Sequence, residues 1–369
     1  MVKDAQPVRT WAAVVGLALL AAPASGAVVW ASFPTPSIDR WMYVFAQNPG
    51  MDAEARVFSP YPYQIGYFDN RDGQFLVAWD TAGSGIATGQ PVNRYRVLGA
   101  SVTVRVSGNN LFEYDPTPDS YLTFPPSPPT ATPPYPPAAL PDGDAGRPIE
   151  MFVCGYRGSY VAGPTAGPGE QVFGQTSPYA TGPAFPSVGK RNVFPGQYDA
   201  NGVLIDVSNN VDNQFEASPI AVGAARTNAY QPVPVAPGDL VPVNTDMEFV
   251  VDVRRREAMD AIRQGLSRGR VEFLITSLAM TEQASSIVPR FYARQWTEQY
   301  GPDPAARWAS LSLSVCVGHP ADWNCSGTLE VQDIFDFLND WFAGRADFNA
   351  DGVLGVTDIF EFLNSWLAG

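Results

Sequence analysis

Two twelve-residue stretches near the end of the sequence carry oxygen donors at matching intervals. Asp322, Asn324, Ser326, Thr328, Glu330 and Asp333 form the first set, and Asp347, Asn349, Asp351, Val353, Gly355 and Asp358 the second, 25 residues further on. A hard cation such as calcium takes six to eight oxygens at about 2.3–2.6 Å, and a loop that supplies them from positions 1, 3, 5, 7, 9 and 12 needs glycine at position 6 for its sharp turn. Gly327 and Gly352 stand at that position. In the second stretch Asp347, Asn349 and Asp351 offer side-chain oxygens, Val353 its carbonyl, Gly355 room for a water, and Asp358 both carboxylate oxygens. In the first, Ser326 replaces the usual carboxylate at position 5, and Glu330 at position 9 restores a negative ligand. Two Ca2+ sites are expected, the second the tighter.

A single Asp/Asn/Gly loop reads equally well as a solvated turn. Two copies in register, each running into the same apolar segment, weigh against that reading. Between His319 and Gly369, nine Asp or Glu face one Arg, so this segment carries −8 of the chain's −14, a density that bound cations would relieve. After each loop the apolar residues recur at helical spacing: Ile334, Phe337, Leu338 and Trp341, then Ile359, Phe362, Leu363 and Trp366. Each helix therefore has a stripe to bury against its twin. Phe335, Phe342 and Phe360 extend the apolar surface past that stripe and leave a face open to docking.

An EF-hand has a helix before its loop, but His319-Pro-Ala and Gly344-Arg-Ala leave no room for one. Loop then helix, twice, resembles the dockerin module of cellulosome-type proteins, and most closely the type I-like, GC-type tail of secreted bacterial proteins. The resemblance covers residues 319–369. It implies an all-α module with pseudo-twofold packing, and a cohesin-like or cell-surface partner met by loop positions 10 and 11, here Val331, Gln332, Val356 and Thr357. The sequence departs from the cellulosomal pattern in its short spacing, in Ser326, and in helices rich in Phe and Trp rather than Lys and Arg.

At the other end, Lys3 and Arg9 precede an apolar run from Trp11 to Ala22 and small residues up to Ala27. The run is too short to span a bilayer, so residues 1–27 read as a secretory signal peptide and the protein as secreted, extracellular or at the cell surface. Disulfides persist there. Cys316 and Cys325, nine residues apart across the junction of body and tail, are expected to pair and clamp the two together, although connectivity is not readable from sequence alone. Cys154 is left over in an apolar run, as a small buried hydrophobe.

Residues 28–318 suffice for one large β domain or two small ones and are taken as one. Strands are expected at 41–46, 74–80, 97–107, 149–156, 203–207, 247–253, 271–278 and 308–317. Ala309, Leu311, Leu313 and Val315 alternate with Ser310, Ser312 and Ser314, which predicts one buried and one wet face. The expected fold class is mainly β, a jelly-roll-like antiparallel β-sandwich with one helix, plus the small all-α tail. That helix spans 255–268, with Met259, Ile262 and Leu266 on one face and Gly269 as its stop. The proline-rich stretch 124–137 must be extended and reads as a surface loop within the domain.

The order of Asp39-Arg-Trp41, the Asp72-to-Trp79 strand, the Gly99-to-Val106 strand, and a helix leading to Gly269 and a long strand resembles DNRLRE-type carbohydrate-binding sandwich modules. The resemblance is one of order and spacing, and it implies a body that binds polysaccharide or is structural.

His319, the only histidine, lies in the connector beside Pro320, so the body has no Ser-His-Asp, Cys-His or histidine-rich metal site. A glycoside hydrolase needs only two carboxylates, so that route stays open. Asp69, Asp72 and Asp80 cluster near one strand, and Asp115, Asp119, Asp142 and Asp144 flank the proline-rich stretch, but both groups read better as turns, and no catalytic pair is named. Tyr61, Tyr63, Tyr67 and Phe68 could stack on sugars or anchor a loop. Arg outnumbers Lys 21 to 2, which points to genomic base composition, and without a basic patch nucleic acid is not an expected partner. Two readings remain. One is a secreted, non-catalytic protein whose body binds polysaccharide or forms a surface structure, held by its calcium-loaded tail; the other is a dockerin-tethered hydrolase of O-glycosyl bonds in polysaccharide catabolism. The missing histidines favour the first.

Overall fold

The computed structural model describes residues 28–46, 48–60, 68–125, 137–182, 188–199, 202–280 and 287–369. The signal-peptide segment, Tyr61, Tyr63, Tyr67 and residues 126–136 of the proline-rich stretch lie outside them. Among the described residues no helix is long and apolar enough to cross a membrane.

In chain order the strands are β1 Val28–Phe33, β2 Ile38–Met42, β3 Glu54–Arg56, β4 Gln74–Asp80, β5 Tyr95–Arg105, β6 Ile149–Tyr156, β7 Tyr160–Val161 and β8 Gln171–Val172. They continue as β9 Val193–Tyr198, β10 Leu204–Asp206, β11 Ala221–Val222, β12 Ala224–Arg226, β13 Asp246–Val250, β14 Arg270–Ser277, β15 Arg290–Tyr292 and β16 Ser310–Val317. The helices are α1 Arg256–Arg268, α2 Gln295–Tyr300, α3 Val331–Phe342 and α4 Val356–Ala368. One sheet runs β1-β16-β5-β13-β12 and a larger one β10-β9-β6-β14-β4-β2, with β11 also on β6. Their pairings are antiparallel, and register is continuous along the centre of the larger sheet, from Arg270 opposite Asp80 to Thr276 opposite Gln74. Residues of both sheets, such as Val102, Phe249 and Leu313 from one and Trp79, Phe273 and Ile275 from the other, belong to a single hydrophobic core.

Seven of the eight runs predicted as strands form them, with ends shifted by up to three residues, whereas the run at 41–46 is strand only at 41–42, the end of β2. Helix α1 stops at Gly269, whose φ of 93° is open to glycine at little cost. Two expectations need correction. The body has a second helix, α2, six residues long and too short to show an apolar period; it is built on Trp296, which packs edge-on to Tyr292 at 4.7 Å. The serine face of β16 is not wet. Ser310 and Ser314 are buried and only Ser312 is exposed, because Ser314 faces Gly99, where a Cβ would come within 2.9 Å of its hydroxyl, and Ser310 meets Arg307 at 3.2 Å.

The acidic turn at 69–72 also departs from expectation. Asp69 and Asp72 point inward, and Arg191, fully buried, bonds them at 2.6 and 2.5 Å. Asn209 supplies a further bond to Asp69 at 2.6 Å. Beside them Arg71 pairs with buried Glu150 and donates to Asn210 Oδ1 at 3.1 Å. Removing one partner of such a network strands charge in a low dielectric, so Arg191→Met is expected to destabilise by about 3–5 kcal/mol. Chemical denaturation with unchanged m-value checks this, and a loss under about 1 kcal/mol, the range of exposed pairs, would contradict it.

Candidate functional site

The tail carries its own small core, separate from that of the body: Ala321, Trp323, Phe337, Ala346, Phe348 and Phe362. Phe337 of α3 and Phe362 of α4 stack face to face, with centroids 4.0 Å apart and planes 3° off parallel. Position 2 of each loop, Trp323 or Phe348, packs edge-on against this pair. The exchange is reciprocal in polar contacts too. Trp341 donates its indole N–H to the Gly355 carbonyl at 3.0 Å, and Trp366 to the Glu330 carbonyl at 3.2 Å, so each helix reaches position 9 of the other loop. The apolar stripes expected from sequence are therefore the seam, while Phe335, Phe342 and Phe360 stay outside it, 57, 78 and 62 % exposed.

Both loops take the same backbone path. Position 4 is left-handed without being glycine, Cys325 at φ 60° and Ala350 at φ 56°, and position 6 is glycine at φ 86° in each. Such φ values are uncommon outside glycine and require support from their surroundings. The position-1 carboxylates provide it: Asp322 accepts the N–H groups of Ser326 and Gly327, both at 2.9 Å, and Asp347 those of Asp351 and Gly352 at 3.3 and 2.8 Å. Asn324 and Asn349 each accept the position-5 N–H at 2.9 Å. The position-12 carboxylates tie the loop to its helix, Asp333 accepting from Asn324 and Glu330, Asp358 from Phe348 and Gly355.

Asp322, Asp333, Asp347 and Asp358 are buried, whereas Asn324, Ser326, Thr328, Glu330, Asp351 and Val353 are exposed and Asn349 is half-buried. Burial pushes the Asp347 carboxyl up; the Gly352 N–H pulls it back, and the charges of Asp358 and Asp351 push it further. Buried oxygen donors that repel one another suit a hard cation. The carboxylates of a single loop do not bring three oxygens within 4.8 Å of one another; among the described residues that occurs at Asp115, Asp119 and Asp144. Gathering ligands around an ion would thus move the exposed Glu330 and Asp351, while the buried carboxylates already hold the turn. The loops also differ at position 5. Ser326 donates its hydroxyl to the Thr328 carbonyl at 3.0 Å, which occupies the position-7 oxygen that a cation would use; Asp351 instead accepts the Val353 N–H at 2.8 Å.

The expected partner residues Val331, Gln332, Val356 and Thr357 are all exposed. Cys316, at the end of β16, and Cys325 are free thiols in hydrogen-bond contact. That bond lowers Cys316 and raises Cys325. Cys154 is only partly buried at its surface, yet its thiol is pushed well up by desolvation and then by Glu272, which removes it as a nucleophile.

Sequence reasoning missed what seats the tail on the body. Arg263 of α1, 2 % exposed, donates to the carbonyls of Asp347 and Phe348 at 2.8 and 3.0 Å, to Val92 at 2.9 Å and to Asp260 at 3.2 Å. Arg96 of β5 bonds Asp340 at 2.9 Å and lies 4.2 Å over the Trp323 ring. Burial pushes Asp340 up, but the bonds from Arg96 and Trp323 and the charges of Arg96 and Arg345 outweigh it and hold the carboxyl below its ordinary value. The only available signal was Arg263 itself, a charge beside the apolar face of α1.

Of the body's other candidate carboxylates, Asp115 and Asp144 meet Thr117 and the rest are held by arginine. Asp80 bonds Arg270 at 2.6 Å, and Arg147 bonds Asp119 at 2.7 Å and Asp142 at 3.2 Å. Asp119 is pushed up to about 6, by burial first and by Asp142 and Asp115, with Arg147 opposing. No protein-family model, curated protein or solved structure matches the chain.

Calcium titration of the full chain by calorimetry is expected to fill the second loop first; Ser326→Asp should tighten the first site and Asp351→Ser weaken the second, each by on the order of tenfold, 1.4 kcal/mol. First-loop filling in the unaltered chain would refute the order. Arg263→Met should raise amide exchange throughout residues 347–366 while the strands of the larger sheet keep their protection; unchanged exchange there would show that Arg263 does not seat the tail.

Proposed function

We propose that this is a secreted, non-catalytic protein whose β-sandwich body binds polysaccharide or serves a structural surface role, assembled through a dockerin-like tail that holds two Ca2+ ions. The observation carrying the tail assignment is the doubled loop: the same left-handed turn in both copies, with each helix's tryptophan bonded to position 9 of the other. Calcium binding would fold and stiffen such loops, since its free energy is available only to the ordered ligand set. Val331, Gln332, Val356 and Thr357 then present positions 10 and 11 to a cohesin-like or cell-surface protein. In an oxidising compartment Cys316 and Cys325 would pass two electrons to a disulfide-bearing oxidant, release two protons, and close a bond between β16 and the first loop.

For the body, Trp30 on edge strand β1 is 80 % exposed and Tyr230 is 48 % exposed, and planar rings presented to solvent suit stacking on sugar faces. The hydrolase reading has one observation in its favour. Burial pushes Glu272 up to about 7, where a general acid works, although both its oxygens are shut away from solvent.

A glycan array and a reducing-sugar assay on the same polysaccharides separate the readings. Binding that falls at least tenfold in Trp30→Ala, with no sugar release, is the expected result. Release that vanishes in Glu272→Gln would replace the binding reading by the hydrolase.

A further inference from the structure

Guanidinium groups from three separate segments meet where the body and the tail adjoin. Arg96 belongs to β5, Arg254, Arg255 and Arg256 to the run that opens α1, and Arg345 to the segment after α3. They line two neighbouring clefts, of about 240 and about 620 Å³, which share Arg254 and Arg345 as walls. Five arginines and three carboxylates, Asp252, Glu257 and Asp340, face this groove, a local balance of +2 in a chain of net charge −14. Chain order hides the patch, because 88 to 249 residues separate its segments.

The acids present do not use up that charge. Asp340 alone answers two guanidinium groups, Arg96 at 2.9 Å and Arg345 at 3.0 Å. Asp252 bonds Arg254 at 2.9 Å, yet the Arg254 side chain stays 75 % exposed. Arg255 turns away, to Glu257, the Pro219 carbonyl and the Ser218 hydroxyl. Arg256, half-buried in the first turn of α1, makes no hydrogen bond or ion pair among the described residues. No side chain caps that turn, so its partial positive charge adds to that of the arginines.

The other walls narrow the choice of anion. Val97, Met259 and the exposed Leu98 give one cleft an apolar side. Trp323, the ring in that cleft, is 5 % exposed and lies under the Arg96 guanidinium, so no aromatic platform is offered to a nucleobase. A sugar bearing a carboxylate or sulfate combines an apolar ring face with a fixed anion. A guanidinium meets such an anion through two parallel N–H donors.

We propose, resting on the reading of this protein as a polysaccharide binder, that the groove takes an anionic glycan, a uronate- or sulfate-bearing chain read by Arg254, Arg256 and Arg345. Arg254 and Arg256 belong to the body and Arg345 to the tail, so the bound sugar bridges the two.

Calorimetry on the full chain in calcium compares three probes: galactotriose, trigalacturonate and a sulfated galactotriose. At least one acidic sugar is expected to bind about tenfold tighter than galactotriose, with the advantage shrinking as salt is raised. The double variant Arg254→Gln/Arg256→Gln and, separately, Arg345→Gln should each lower that affinity by about tenfold, and Lys at the same positions should lower it less, since charge is kept while the two-donor fork is lost. An unchanged cooperative melt establishes that the double variant, which removes no contact between body and tail, is folded. Equal affinity for acidic and neutral sugars overturns the proposal and leaves the polysaccharide reading standing. So does acidic-sugar binding that persists in the double variant and is lost in Trp30→Ala. Oligoglutamate or single-stranded DNA binding as tightly as the acidic sugars, and lost in the same double variant, overturns the glycan assignment. Failure of every sugar to bind overturns the polysaccharide reading as well.

Discussion

A carboxylate removed from water without a counter-charge costs several kcal/mol, and the placement of charge in this acidic chain follows from that. The body answers with arginine. Arg191 lies between Asp69 and Asp72, Arg71 meets Glu150, and Arg105 grips both oxygens of Asp246 at 2.8 and 3.1 Å. A guanidinium is planar, always charged and able to donate in several directions at once, which a lysine ammonium in the same space would not match. The 21 Arg to 2 Lys therefore have structural use here, whatever their genomic origin.

Where arginine is absent, backbone N–H groups take over. The loops of the tail turn their buried carboxylates onto their own amides, which holds a left-handed residue at position 4 and the glycine turn at position 6. This arrangement satisfies hydrogen bonds but not net charge, since an amide carries only a partial positive charge. The proposed cations would supply the remainder in the tail loops.

The same guanidinium chemistry joins the two parts of the protein. Arg263 reads the backbone of the second loop rather than its side chains, so its grip leaves the ligand positions of that loop free. Arg96 works on the other side of the junction, through Asp340 and the face of Trp323. The stacked Phe337 and Phe362 belong to a core of the tail's own, and the residues at positions 10 and 11 stay exposed.

Much of this was legible in the sequence. Apolar, β-branched and aromatic runs bounded by Pro and Gly place β4, β6 and β14 within a residue, and period 3.6 with a terminal glycine places α1, because these patterns follow from local geometry and solvent. The repeated turn leading into a helix was legible as well, since each copy is local to a dozen residues. Contacts between distant segments were not: Arg191 is more than a hundred positions from the aspartates it holds, Arg263 over eighty from the loop it supports, and Asp115 and Asp144 meet across the proline-rich stretch. Turn-like spacing at 69–72 and 115–119 gave no sign that the carboxylates point inward, because direction depends on what lies opposite in the folded chain. The sequence by itself determined strands β4, β5, β6, β13, β14 and β16, helices α1, α3 and α4, and the two repeated loops. Only the tertiary structure decided which charges are buried together, since burial and pairing depend on neighbours that chain order does not specify.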